Sequence, residues 1–449
     1  MPSKRFSAPC DCKGDDINTP AAQPPAALDM MSAVKEAPPP PVLAVTPTRV
    51  AVAMFAAFAF AYFLSALVRA VTATLAPAFS AELGLSAGDL GLLAGAYFLG
   101  FALMQLPLGR SLDRWGPRRV VLVFLSVAVV ACMAFATASS FAALLAARAM
   151  IGVGVSACLM APLTAYRLRL GPAAQLRANS WMLMTGSLGM VASTLPVQWL
   201  LPSVGWRGLF WLVAGLLAVA TLVIAWLVPR DLPPIADHES ERFGYVAILR
   251  QPEFVRLAPM AFFVYGGLVA VQALWAGPWL TDVAGQTPSM AARGLFAINL
   301  SMLFAFFAWG VAMPLLARRG WRVEQLITWG LPFGLALLVG GVALGPHAGA
   351  AWWALWCVAC TFVSLSQPAL ALAYPSAVAG RALSAYNLVI FLGVFSIQWG
   401  IGLMVDALGS RGWERIPSFQ FAFSLLALGS TASYAWFVWR GRAPAQHAR

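Results

Sequence analysis

Two arginines stand inside stretches that are otherwise apolar, Arg69 and Arg148. A guanidinium at depth in hydrocarbon costs about 2.5–3.5 kcal/mol on insertion scales, so each needs something to offset it. For Arg69, two-thirds of the way along the first apolar run, two readings stand. The side chain snorkels to the head groups, or it faces an interior cavity and takes an anion, since the planar fork of Arg suits carboxylate and phosphate. Arg148, at similar depth in the fourth run, reads as structural support bonded to helix-end carbonyls. The other candidates for solute contact are uncharged: Gln272, Trp275, Asn299, Asn387 and Gln398 in later runs, with Tyr62 and Tyr97 facing them from the first half. Gln272 and Trp275 stand out because Gly277-Pro278 predicts a helix break beside them, and broken helices line sites. Most of the 18 tryptophans read as interface anchors.

Proton-coupled chemistry in a membrane wants a buried carboxylate or histidine. No Asp, Glu or His lies well inside any run; Asp89, Asp282 and Asp406 fall at run ends. Facilitated diffusion, anion exchange and coupling through an end-of-run acid all stay open, and a proton as coupling ion is unassigned. Cys357-x-x-Cys360 has half of a metal or redox spacing without a second pair or a histidine, so these cysteines read as small buried hydrophobes. No metal and no cofactor is expected. A membrane enzyme would need clustered acids, a metal-ligand set or a nucleophile with its base; the runs offer none, and no enzyme activity is expected.

The elements that carry these residues are long apolar segments. Of 449 residues 61% are hydrophobic, with a mean hydropathy of +0.78. Blocks of about 20 apolar residues have the length of a bilayer-spanning helix. Twelve runs are read at roughly 50–74, 89–108, 119–138, 141–165, 178–201, 207–228, 256–280, 294–317, 324–345, 349–373, 383–405 and 418–439. The formal charge of +12 follows topology: 23 Lys and Arg lie in the tails and alternate loops against 4 in the other loops. The positive-inside rule places both termini in the cytoplasm of a multi-pass inner (plasma) membrane protein. That distribution argues against a nucleic-acid partner. The chain reads as a disordered tail over 1–48, containing Pro38-Pro39-Pro40-Pro41, a six-helix bundle over 49–228, a cytoplasmic linker over 229–255, a second bundle over 256–440 and a tail over 441–449.

A repeat supports two halves. Gly109, Arg110, Asp113, Arg114, Gly116, Arg118 and Arg119 form a cationic loop between the second and third runs, and a degraded copy, Ala317-Arg318-Arg319-Gly320, follows 204 residues later. Arg177-Ala178-x-Ser180 with Leu188-Gly189 matches Arg381-Ala382-x-Ser384 with Leu392-Gly393 at the same offset. Leu67-Val68 and Pro77 match Leu268-Val269 and Pro278 at 201.

Gly109-x-x-x-Asp113-Arg114-x-Gly116-x-Arg118-Arg119 resembles the signature loop of the major facilitator superfamily, and Arg148-x-x-x-Gly152-x-Gly154 resembles its second motif. The resemblance covers about 49–440. It implies an all-α polytopic membrane protein of twelve transmembrane helices in two parallel six-helix repeats, working by alternating access on a small-molecule solute, as a monomer in the lipid bilayer. The spacing of Arg69 to Pro77 resembles the first helix of organic-anion and organophosphate transporters, where that arginine contacts substrate. Ala270 stands where a paired second arginine would be. The fuller glycine patterns of drug/proton antiporters and nitrate porters are absent. The expected function is secondary active or facilitative transport of an organic anion; the alternatives are drug or metabolite efflux, or a transporter-like sensor without flux. Asp113 is expected to latch onto the start of the eleventh helix near Gly380-Arg381-Ala382, with Gly109, Arg114, Gly116, Arg118, Arg148 and Gly152 sharing the conformational role. Gly91-x-x-x-Gly95 is expected to let helices pack closely.

Overall fold

The positive-φ glycines mark the repeat in the backbone. Gly84 (φ 62°) pairs with Gly285 (φ 65°), Gly116 (81°) with Gly320 (80°), and Gly205 (66°) with Gly412 (86°), at offsets of 201, 204 and 207 residues. Left-handed backbone is costly for residues with a Cβ, so the same three interhelical corners use glycine in both halves. The computed structural model describes residues 47–230 and 245–442. Almost all of the tail expected over 1–48, most of the linker and most of the C-terminal tail lie outside the described residues.

The described residues are all-α, built on twelve long helical segments. The first half holds Thr48–Leu83 (α1), Ala87–Trp115 (α2), Pro117–Thr137 (α3), Phe141–Arg169 (α4), Pro172–Ala192 (α5) and Leu195–Leu227 (α6). The second holds Pro252–Val283 (α7), Pro288–Arg318 (α8), Val323–Leu344 (α9), Ala350–Leu372 (α10), Ser376–Gly409 (α11) and Arg415–Arg442 (α12), preceded by a short helix, Tyr245–Arg250.

Among the described residues eleven of these are long and apolar enough to cross a membrane. The exception is α5, which carries Gln175, Arg177 and Asn179 in 21 residues. Its crossing is completed by the start of α6, which is two helices end to end: Gly205 has non-helical backbone (φ 66°, ψ 172°). The fifth crossing therefore runs over 172–204, with a break at Ser193-Thr194, and matches α11 in length. The sequence places this run at 178–201 and misses the break. Thr74 of α1 donates to the Ser193 carbonyl at 2.8 Å, occupying one of the groups the break frees.

The second correction concerns α7. Gly277-Pro278 does not break it; the helix continues through three π-helical turns, Ala261–Tyr265, Val271–Trp275 and Trp279–Val283. Pro278 has no N–H to donate within the helix, and π-helical turns stand on either side of Ala276–Pro278.

Glycines set the closest helix approaches. Gly189 meets the Phe63 carbonyl of α1 and Gly393 meets the Phe262 carbonyl of α7, so the α1–α5 and α7–α11 contacts are copies of one another. Gly100 and Gly152 do the same reciprocally between α2 and α4. Contacts join the described residues, 47–230 and 245–442, into one unit. The largest helix–helix contact among the described residues is α2 against α11, one helix from each half. Gly91 lies against the Gln398 carbonyl and Gly95 against Phe395, followed toward the basic loop by Phe98 and Phe101 against Phe391.

Candidate functional site

Arg69 sits on α1 where the two halves meet. It is half-buried, and its charge reaches the phenols of Tyr97 on α2 and Tyr265 on α7. Its Nη2 donates to the Met190 thioether of α5 at 3.5 Å, and its buried Nε has no hydrogen-bond partner. A thioether is a weak acceptor, so the guanidinium is placed but poorly satisfied. Its position is fixed by the α1–α5 contact: Gly186 faces the Tyr62 ring, where a Cβ would come within 2.5 Å, and Gly189 faces Phe63 and Ala66. Tyr62 is buried and lies near Tyr265. Arg69, Tyr62 and Tyr97 are thus brought together. Tyr265 and Met190 join them without having been singled out in the sequence; Met190 was legible only as the residue after the repeated glycine.

Arg148 is 1% exposed. Its Nη2 donates to the Val68 carbonyl at 3.1 Å and to Thr72 Oγ1, both on α1, and its carbon Cζ lies 5.1 Å from the Tyr97 ring centroid. The support expected of it goes to the middle of α1 rather than to a helix end. Nη1 is buried without a partner. No salt bridge among the described residues involves Arg69 or Arg148. Gly152, one turn on, is there for space: a Cβ would stand 1.9 Å from the Tyr97 carbonyl oxygen.

The second half contributes uncharged pairs. Gln272 Nε2 donates to Asn299 Oδ1 at 3.0 Å, joining α7 to α8. Gln367 Nε2 donates to Asn387 Oδ1 at 2.8 Å, and Tyr386 bonds Ser366 at 2.8 Å, joining α10 to α11. Trp275 is fully buried and donates through Nε1 to the Gln398 carbonyl at 3.0 Å. In this conformer Trp275 and Tyr97 are packing groups, closed from solvent. Cys357 and Cys360 are buried, and no group of three His, Cys, Asp or Glu able to hold a metal occurs among the described residues.

The basic segment expected as a loop is helical up to Trp115: the turn is made by Gly116 alone, which ends α2 and begins α3 with φ 81°, its N–H donating to the Leu112 carbonyl at 3.0 Å, and Pro117 takes the first position of α3. Arg118 donates to the Ala225 carbonyl at 2.6 Å, near the C-terminus of α6, where the helix dipole favours a cation. Arg114 lies over Trp115. Tyr245 bonds the Leu106 carbonyl at 3.4 Å with Arg110 over its ring, and Gly109 faces its hydroxyl. Burial raises the Tyr245 phenol above its ordinary value, while Arg381 and Arg110 pull it down and Asp113 pushes it up. Asp113 of α2 and Arg381 of α11 therefore share one electrostatic neighbourhood.

The sequence model described as the Major Facilitator Superfamily matches residues 58–398. Multidrug resistance protein D of Escherichia coli (strain K12) is 29% identical over 239 residues, 52% of this chain and 58% of that protein. The probable sulfoacetate transporter SauU of Cupriavidus necator is 24% identical over 240 residues, 50% of this chain and 56% of the relative. The chain thus spans under two thirds of the length of these curated relatives. In fold, it resembles a bacterial homolog of the human lysosomal transporter Spinster in an inward-facing, unoccupied conformation, with a TM-score of 0.71 at 18% identity, covering 88% of this chain and 98% of the other.

Proposed function

From the premise that this chain belongs to the Major Facilitator Superfamily, we propose that it carries a small organic anion across the inner membrane by rocking its two six-helix bundles, 49–228 and 256–440, about a midplane site. In this reading both termini and the basic loop are cytoplasmic, following the charge asymmetry. The observation that carries the proposal is Arg69. It stands at the junction of the halves, beside Tyr62, Tyr97 and Tyr265, bonded to a thioether and with Nε unpartnered. Carboxylate, sulfonate or phosphate would replace that weak acceptor with a charge-assisted one. The uncharged amides Gln272, Asn299 and Asn387, with Trp275, would face the rest of the solute when the conformer changes. The likeness to a probable sulfoacetate transporter supports a small anion.

The experiment is a thermal-stabilisation screen of carboxylates, sulfonates and phosphates on purified protein, then counterflow in proteoliposomes with the hits. Arg69→Ala should abolish stabilisation, and Arg69→Lys should weaken it through loss of the bidentate geometry. An anion whose binding and flux survive Arg69→Ala refutes the assignment. A second reading, drug efflux, is supported by the likeness to multidrug resistance protein D; lipophilic cations exported equally well by the parent and the Arg69→Ala variant would favour it. Binding without flux would favour a sensor.

A further inference from the structure

Ala87 and Gly88 open α2, and their N–H groups have no acceptor within their own helix. The helix serves the neighbouring donors itself: the Asp89 N–H donates to Ser86 Oγ at 3.1 Å, and the Ser86 N–H donates to Asp89 Oδ2 at 3.2 Å. The remaining two donors are taken by the other half of the molecule. Ala87 N–H donates to Asp406 Oδ1 at 3.1 Å and Gly88 N–H to Asp406 Oδ2 at 2.7 Å. One carboxylate, from the last turn of α11, completes the cap of α2. The backbones are close enough for this because both sides are small: a Cβ on Gly402 would stand 2.2 Å from the Ala87 carbonyl oxygen, and one on Gly88 2.8 Å from Asp406 Oδ2.

We propose that Asp406 is the latch that holds the two halves shut on the face opposite the basic loop. A carboxylate bonded through both oxygens at a helix N-terminus is a charge-assisted contact favoured by the helix dipole. Opening that face separates α11 from α2 and returns the carboxylate and both N–H groups to water. The latch therefore weights one conformer against the other without touching solute. Because α2 and α11 run antiparallel, the same pair carries Asp113 at its other end, so the two faces of the molecule hold separate carboxylates.

The test uses the full chain in nanodiscs, with the six native cysteines replaced and spin labels at Ala81 and Arg411, both exposed on the face in question. Pulsed electron-resonance distances report the open and closed populations. Asp406→Asn should raise the long-distance population about tenfold or more, the scale of losing hydrogen bonds to a charged group. Ala87→Pro should shift it the same way by deleting one donor; proline suits the first helical position, and Ser86 at ψ 171° suits the residue before it. Asp89→Asn, which touches only the cap within α2, should leave the distances unchanged. Unshifted distances in both Asp406→Asn and Ala87→Pro overturn the latch, as does an equal shift in Asp89→Asn. No solute enters the readout, so the result stands apart from the anion assignment.

Discussion

Gly152 offers a severe test of how the first half is packed. Its substitution by alanine would place a methyl 1.9 Å from the Tyr97 carbonyl oxygen, 2.8 Å from the carbonyl carbon and 3.1 Å from the Phe101 nitrogen, all backbone atoms of α2. Ordinary contact begins at 3.4 Å, so the overlap with the oxygen is about 1.5 Å. No side chain can rotate away from it. The two helices must part, and at the reciprocal contact one turn away a Cβ on Gly100 would stand 2.1 Å from the Ala149 carbonyl oxygen. Overpacking that forces backbone movement costs about 1–3 kcal/mol and occasionally more; with neither helix free to yield, Gly152→Ala should fall at the upper end. Thermal unfolding in detergent should show a clear loss of stability, whereas Gly215→Ala, which meets nothing within 4 Å, should be neutral. Equal stability of the two variants would refute the packing argument and return Gly152 to a role in conformational change alone.

Two further predictions follow from particular groups. Arg148→Met should destabilise less than Arg148→Lys, because methionine removes a buried charge that has no carboxylate beside it while lysine keeps the charge and loses the fork; the reverse order in thermal unfolding would contradict this. Tyr374, between α10 and α11, donates to the Ile248 carbonyl at 2.8 Å, and burial, with Glu253 nearby, pushes its phenol up to about 12. A pKa raised above its unfolded value of about 10 gives stability that is full below pH 10 and lost as pH rises through 12, so the gap between the parent and Tyr374→Phe should close over that window, and a constant gap would show that the phenol does not titrate there.

Much of the fold was legible because membrane segments carry their own signal. Run lengths, charge asymmetry and the repeat are local or periodic, and the Gly116 corner with its copy at Gly320 stands in the sequence, whereas the corners at Gly84 and Gly205 came to light only in the backbone angles. The site was legible only in part. Arg69 and Arg148 announced themselves by being charged, but their partners are a methionine, a threonine and the Val68 carbonyl, contributed by other helices, and no pattern in the chain encodes those pairings. Asp406 read as one acid at a run end; its role needs the α2 N-terminus, 318 and 319 residues away in sequence. The π turns of α7 were missed because proline usually signals a break, and tertiary packing decided otherwise.

The fully buried Arg148 has a consequence for what must not cross. A fixed positive charge at low dielectric, with no acid bonded to it among the described residues, repels inorganic cations strongly over several ångströms, and Arg69 is a second charge acting on the same Tyr97. If the two bundles rock as proposed, any transient gap between them would be a path for sodium, potassium and protons down their gradients. An arginine lining a pore is one way to keep cations out. In the proposed transport cycle, the same pair of guanidiniums would raise the barrier to inorganic cations in the first half of the protein.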